Sequence, residues 1–338
     1  MVIDATNADG LCGVVAIGAS AGGVEALTRL VAGLSPDAPY AYLVVLHIPA
    51  GAPSILARIL DRSGPLPAVT PEHRAPLRAG QIYVGIPDHH LLVADHGVVL
   101  SQGPTENGHR PAINALFRSV AVAFGPRAIG VLLSGVLDDG VLGLGAIRSC
   151  GGTTIAQSPE DALFPALPKN ALRVGAVDRQ VTASGVGALL KELSHREIED
   201  REMESDDAME FENRIAMTSR FSTELDTEQL GAPSGYTCPD CNGSLTSISE
   251  GHFRCRVGHA WTADSLLAAR DDEVESALWV ALRSLQEKAK LARQLAHRAG
   301  PGLLSRRYVT LAEESERALT VLSDRLAARS PVRGDADG

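Results

Sequence analysis

Residues 14–27 read Val-Val-Ala-Ile-Gly-Ala-Ser-Ala-Gly-Gly-Val-Glu-Ala-Leu. The apolar run 14–17 predicts a buried strand, and Val24, Leu27, Leu30 and Val31 recur on one face of a following helix. Only glycine and other small residues, as at 18–23, let a strand turn so sharply into a helix. The turn puts Ser20 at the C-terminal edge of the strand, beside the free N–H groups of the helix. A serine held there has a ready site for stabilising an oxyanion. The segment Gly18-Ala19-Ser20-Ala21-Gly22 also satisfies the Gly-x-Ser-x-Gly nucleophile-elbow pattern.

A dinucleotide cradle is the competing reading. Its Gly-x-Gly-x-x-Gly fingerprint is incomplete, because Ser20 occupies the second glycine position. About twenty residues on, where an acidic residue belongs, the chain has Val44, Val45, Leu46 and His47. Both absences weaken the nucleotide reading, and on this segment alone both remain open.

Composition narrows the class. A chain of 338 residues can hold two domains, the first with a sizeable core. The formal net charge of −10 argues against general nucleic-acid binding. No apolar run reaches membrane-spanning length and no signal peptide opens the chain, so no membrane insertion and a cytoplasmic location are expected. Five unevenly placed cysteines do not suggest a disulfide framework, and Cys12 and Cys150 are expected to be ordinary thiols.

Residues 10–195 alternate strand and helix signals. Strands are expected at 14–17, 42–46, 81–84, 129–133, 153–155 and 176–177, and helices at 22–33, 54–62, 111–124, 140–150 and 185–194. This alternation predicts an α/β domain, a doubly wound and mostly parallel sheet with helices on both faces. Ligands of such folds sit at the C-terminal ends of the strands. Three reactive groups follow apolar runs there: Ser20, His47 in Val-Val-Leu-His-Ile-Pro, and the pair Asp138-Asp139. Serine, histidine and carboxylate in one crevice form an acyl-transfer constellation, in which the histidine takes the serine proton and the carboxylate supports the imidazolium. The plainer alternatives are a structural histidine and an Asp-Asp-Gly turn or helix cap.

Residues 14–190 closely resemble the catalytic domain of the chemotaxis protein-glutamate methylesterases (CheB-type). The matching blocks are residues 16–27, Val45-Leu46-His47-Ile48-Pro49, residues 80–84 with Pro87 and His90-Leu91, and Arg110-Pro111 with residues 116–119. They continue through 129–144, Gly151-Gly152 with residues 155–157, and Pro168 with residues 175–178. The resemblance implies a Ser-His-Asp esterase with Ser20 as nucleophile, His47 as general base and acid, and Asp139 as orienting carboxylate. It implies hydrolysis of a γ-glutamyl methyl ester on a chemoreceptor, without a catalytic cofactor, and deamidation of receptor glutamine as a second activity. A side chain on another protein's helix needs an open crevice, and His90 is a candidate for lining it or a plain loop histidine.

The stretch 134–140 reads Ser-Gly-Val-Leu-Asp-Asp-Gly where the family usually has Thr-Gly-Met-Gly-Asn/Asp-Asp-Gly. Val136 replaces a methionine and Leu137 a glycine. Leu137 adopts positive φ only at a cost, so a different turn geometry is expected. Asn114 stands where an acidic residue is common. Typical members carry a receiver domain upstream, whereas about a dozen residues precede the first strand here. The expectation is control by the C-terminal half or a separate regulatory protein, or none.

Residues 197–212 are crowded with Glu and Asp, and 196–234 read as an exposed acidic linker in which Met203, Met209 and Met217, beside Phe211 and Ile215, make a few opportunistic contacts or, alternatively, dock the segment onto a domain. At 235–262, Cys238-x-x-Cys241, a Gly-rich hairpin and Cys255-x-x-x-His259 predict a small ribbon around structural zinc. His252 is a competing fourth ligand, and a redox Cys-x-x-Cys is the alternative. Four protein ligands leave no open position for catalysis. Residues 263–330 predict a helical hairpin, with Leu266, Leu267, Val274, Leu278, Leu282, Leu285, Leu291 and Leu295 on its apolar face and Gly300-Pro301-Gly302 at its turn. Ribbon and tail also resemble a C-terminal extension of some methylesterase-family proteins. Two function classes follow: an active methylesterase acting on methylated receptors, or a non-enzymatic signalling adaptor working through the ribbon and helices. A nucleotide-binding oxidoreductase is a distant third.

Overall fold

The structure is a computed structural model and describes residues 11–196, 206–218 and 231–329. Its first strand, β1 (Gly13–Ala19), is buried along its whole length. Val15, Ile17 and Ala19 enter one hydrophobic core, and Val14 and Ala16 enter another, because successive side chains of a strand point to opposite faces. A strand apolar on both faces needs both faces covered.

The covering elements follow in chain order. After β1 come α1 (Gly23–Ala32), β2 (Tyr40–Leu46), α2 (Leu56–Asp61), β3 (Ala68–Val69) and β4 (Ile82–Val84). Then come the hairpin β5 (His90–Ala94) and β6 (Gly97–Ser101), α3 (Ile113–Phe124), β7 (Ala128–Leu132), α4 (Val141–Ser149) and β8 (Thr153–Gln157). The domain closes with α5 (Ala166–Arg173), β9 (Arg179–Val181) and α6 (Val186–Leu193). The seven-stranded sheet has the order β3-β4-β2-β1-β7-β8-β9, and every pair in it is parallel. Leu27, Leu30, Leu60, Val186 and Leu190 of α1, α2 and α6 fill one face. Ile113, Leu116, Phe117, Leu144 and Leu167 of α3, α4 and α5 fill the other. Each such fully buried side chain contributes roughly 1.5–3 kcal/mol. The chain leaves β1 for β2 on one side and returns at β7 on the other, so the topological switch point lies beside β1, where ligands of such sheets bind.

Two local expectations need correction. Residues 176–177 are not a strand. The edge strand is β9, and Val177 instead packs against the second core. A helix, α5, lies where none was expected. Its Pro168 stands in the first turn, where the missing N–H costs nothing.

Part of the expected acidic linker is also ordered. Asp206 caps α7 (Asp207–Met217), its side chain accepting from the N–H groups of Ala208 and Met209. The helix buries Ile215 and Ala216, and Met209 packs against the second core. Its acidic Glu212 finds arginines rather than solvent. Met203 lies outside the described residues.

Residues 231–262 form an antiparallel meander of β10 (Ala232–Thr237), β11 (Ser244–Ser249), β12 (His252–Cys255) and β13 (Ala260–Thr262). It belongs to the same compact unit as the sheet, a unit ending at Leu266. The second unit holds most of α8 (Ala263–Ala299) and all of α9 (Leu303–Arg329). Leu282, Ala289, Ala292 and Ala296 of α8 and Ala312, Ser315 and Leu326 of α9 are its buried positions. Their three- and four-residue spacing is that of an antiparallel helical seam. Arg293 and Glu316 pair across it at 2.8 Å. Leu267, Val274 and Leu291 are exposed, contrary to expectation.

Candidate active site

Gly18 lets α3 approach β1. A Cβ there would stand 2.2 Å from Ile113 Cγ2. The chain then turns at Gly22, with φ of 71°, and presents Ser20. His47 follows β2, and its backbone N–H donates to Ala19 O at 3.2 Å. Asp139 follows β7. The switch point therefore brings all three together: Ser20 Oγ lies 3.1 Å from His47 Nδ1, and His47 Nε2 lies 2.7 Å from Asp139 Oδ2. A carboxylate facing Nε2 requires the proton there, which leaves the Nδ1 lone pair to accept from the serine hydroxyl.

Asp139 is 2 % exposed, and its lone pairs are filled. Oδ2 also accepts from Ile113 N–H at 2.7 Å. Oδ1 accepts from Asn114 N–H at 3.3 Å and Asn107 Nδ2 at 3.4 Å. Burial raises the Asp139 pKa, but the His47 hydrogen bond, the charges of His47 and His109 and the Ile113 N–H outweigh it. The carboxyl is held below its ordinary range. The neighbouring Asp138 takes no part in this contact. It accepts from Thr262 Oγ1 at 2.8 Å and Ser265 Oγ at 2.9 Å, and burial pushes its pKa up.

His109 was not singled out from the sequence. Its ring stacks on His47, centroids 3.7 Å apart and planes at 15°. Burial, then the His47 charge, pushes its pKa down to about 4, so a neutral ring covers the imidazole. No spacing signal marks it; its proximity is created by folding. His90, expected as a lining or loop residue, is fully buried at the start of β5. Its Nε2 bonds Pro104 O and its Nδ1 accepts from Ala112 N–H, so it is a structural residue.

The expected oxyanion site is narrower than a whole helix N-terminus. Ser20 N–H donates to Ser134 O at 2.9 Å and Gly23 N–H to Ser20 O at 2.8 Å. Ala21 and Gly22 N–H have no acceptor among the described residues. Leu137 does take the positive φ, at 59°, contrary to the expected change of turn. Asn170 Nδ2 donates to its carbonyl at 2.8 Å and holds the turn. Asn114 is a cap: its Oδ1 accepts from Gly140 and Gly143 N–H at 2.9 and 2.8 Å.

The ribbon gathers Cys238, Cys241, Cys255 and His259, with all four ligand atoms within 4.8 Å of one another. Cys241 and Cys255 Sγ are 3.7 Å apart, and His259 Nδ1 lies 3.6 Å from Cys238 Sγ and 3.5 Å from Cys255 Sγ. A tetrahedral zinc would set S···S edges of about 3.8 Å and S···N edges of about 3.6 Å, so the donor set fits that ion. His252 instead faces Glu212 at 3.7 Å. Among the described residues no other group of three or more such side chains could hold a metal.

Fold and site together define an α/β protein with a serine, a histidine and an aspartate hydrogen-bonded in series at the switch point of a doubly wound sheet. Residues 15–190 match the family described as CheB methylesterase, and the chain belongs to that family. A protein-glutamate methylesterase/protein-glutamine glutaminase of Anaeromyxobacter dehalogenans is 37% identical over 181 residues, covering 54% of this chain and 53% of its own. One of Caulobacter vibrioides is 36% identical over 185 residues, 54% of each. The chain thus spans about half the length of the curated relatives it matches. The crystal structure of the Thermotoga maritima CheB methylesterase catalytic domain is similar, with a TM-score of 0.52 and 29% identity over 54% of this chain and 98% of that one.

Proposed function

We propose that the protein is a serine hydrolase that removes methyl groups from glutamate methyl esters of chemoreceptors, and that it also deamidates receptor glutamine. The observation that carries this reading is the series Ser20 Oγ, His47 Nδ1, His47 Nε2, Asp139 Oδ2, at 3.1 and 2.7 Å. His47 Nδ1 takes the Ser20 proton as Oγ attacks the ester carbonyl. Asp139 keeps the ring in the tautomer that allows this and supports the imidazolium that forms. Ala21 and Gly22 N–H are the oxyanion donors. The Nδ1 proton then passes to the departing methoxide, and methanol leaves. Water repeats the sequence on the acyl-enzyme and frees the glutamate.

An exposed apolar rim suits a helical protein substrate. Val136, Leu163 and Phe164 are 43, 65 and 41% exposed, and Leu163 and Phe164 lie against Gly22. No helix among the described residues is long and apolar enough to cross a membrane; action on the cytoplasmic tails of receptors would be action in the cytoplasm. We infer that Cys238, Cys241, Cys255 and His259 hold a structural zinc. With four protein donors the ion supplies cross-linking rather than catalysis.

Mixing the protein with methylated receptor from the same cell is expected to release methanol, and Ser20→Ala to abolish release while leaving the fold intact. Equal rates for both proteins would overturn the hydrolase and leave the adaptor. Metal analysis is expected to give one zinc per chain, lost in Cys238→Ser; a metal-free wild type would overturn the zinc.

A further inference from the structure

The ribbon does not merely follow the domain in sequence. β13 lies alongside the segment that carries Asn107, with Glu106 and Ala260 forming a parallel bridge. Ala260 N–H donates to Thr105 O at 3.1 Å, and Asn107 N–H donates to Ala260 O at 2.8 Å. Ala260 directly follows the metal-site His259, whose carbonyl accepts from Cys255 N–H at 3.0 Å. The turn that joins β12 to β13 is therefore the second half of the Cys/His knuckle.

From β13 the connection runs to the triad through one side chain. Asn107 is 7 % exposed and has φ of 53°, a conformation that asparagine tolerates better than most residues. Its Oδ1 accepts from Thr262 N–H at 2.9 Å, which turns Nδ2 towards Asp139 Oδ1, 3.4 Å away. An amide is the side chain that can accept from a backbone N–H and donate to a carboxylate at once. Thr262 Oγ1 reaches Asp138 at 2.8 Å, so one ribbon residue touches both links to the Asp138-Asp139 turn.

We propose that the Cys/His ribbon is a working part of the active site, with Asn107 and Thr262 forming a bridge through which the metal knuckle sets the orientation of Asp139. Asn107 is then a positioning residue, acting through Asp139 on His47. The ribbon, which lies outside the family match at residues 15–190, becomes a device that ties triad geometry to metal occupancy. This inference rests on the triad reading above.

The test uses the full metal-loaded chain and the low-field proton resonance of His47 Nε2–H against Asp139, which needs no substrate. Removing the metal with a chelator is expected to shift or abolish that resonance, and adding zinc back to restore it. Asn107→Gly, which suits the φ of 53° and removes the amide that joins Thr262 to Asp139, is expected to lower kcat about tenfold with KM within about twofold, as loss of an outer hydrogen-bond partner does. Asn107→Asp keeps the acceptor but sets a second carboxylate against Asp139. It removes the amide donor to Asp139 Oδ1, so the low-field resonance is expected to move from its wild-type position. Circular dichroism guards against misfolding. A resonance indifferent to metal and unmoved in Asn107→Asp, or wild-type kcat in Asn107→Gly, would overturn the bridge. A wild type that hydrolyses no methyl ester while its resonance follows the metal would overturn the hydrolase reading and leave the bridge standing.

Discussion

His47 presents Nδ1 to Ser20 and Nε2 to Asp139, and everything at the residue scale follows from that orientation. Asp139 receives His47, two backbone N–H groups and Asn107, so it stays ionised and has little freedom to turn. Asp139→Asn would offer an N–H to Nε2, reverse the tautomer and place a proton on Nδ1, where the serine needs a lone pair. A fall in kcat of about 10³–10⁴-fold is expected, with folding retained; the serine-protease counterpart is the reference for that size. Ser20, His47 and the pair Asp138-Asp139 were legible because each follows an apolar run, and the family resemblance singled out Asp139. His109 and Asn107 were not, because they sit in a loop whose course depends on what packs against it.

At the scale of elements, α4 depends on a residue outside it. Its N-cap, Gly140, makes no side-chain bond, and Asn114 of α3 supplies the missing acceptor to Gly140 and Gly143 N–H. Asn114→Ala is expected to cost about 1–2 kcal/mol in chemical denaturation, the usual worth of a helix cap. The turn before α4 tolerates Leu137 at φ 59° since Asn170 holds its carbonyl. The parallel strands were legible from continuous apolar runs. Helix α7 was hidden because its stability comes from tertiary partners, not from its acidic composition.

At the scale of the whole first unit, four charged side chains, three of them buried and Glu212 partly so, join α3, α7 and the ribbon. Arg118 pairs with Glu106 and, at 3.2 Å, with Glu212. Arg254 of β12, fully buried, reaches the same two carboxylates at 3.5 and 3.4 Å. Burial raises the Glu106 pKa, but Arg118 and Arg254 outweigh it and hold the group at about 2, against an ordinary 4.5. A depressed carboxylate stabilises the fold above its unfolded pKa and loses that contribution as pH falls through the folded one. Glu106→Gln leaves the arginines undercompensated and is expected to cost about 3–5 kcal/mol at neutral pH. The deficit relative to wild type should shrink as pH falls from 4.5 towards 2, which denaturant titrations at a series of pH values would measure.

The sequence by itself determined the parallel sheet, the serine turn, the candidates Ser20, His47 and Asp138-Asp139 at strand ends, and the Cys/His cluster. Those features rest on short-range pattern: apolar runs, small residues at a sharp turn, and ligand spacing set by covalent geometry. Only the tertiary structure decided that His109 covers His47, that Arg254 is buried among carboxylates, and that the ribbon reaches Asp139 through Asn107. These are contacts between segments about thirty to more than a hundred and fifty residues apart, and they depend on how apolar surfaces close over one another. Burial then converts each polar group so enclosed into an obligatory hydrogen-bond partner.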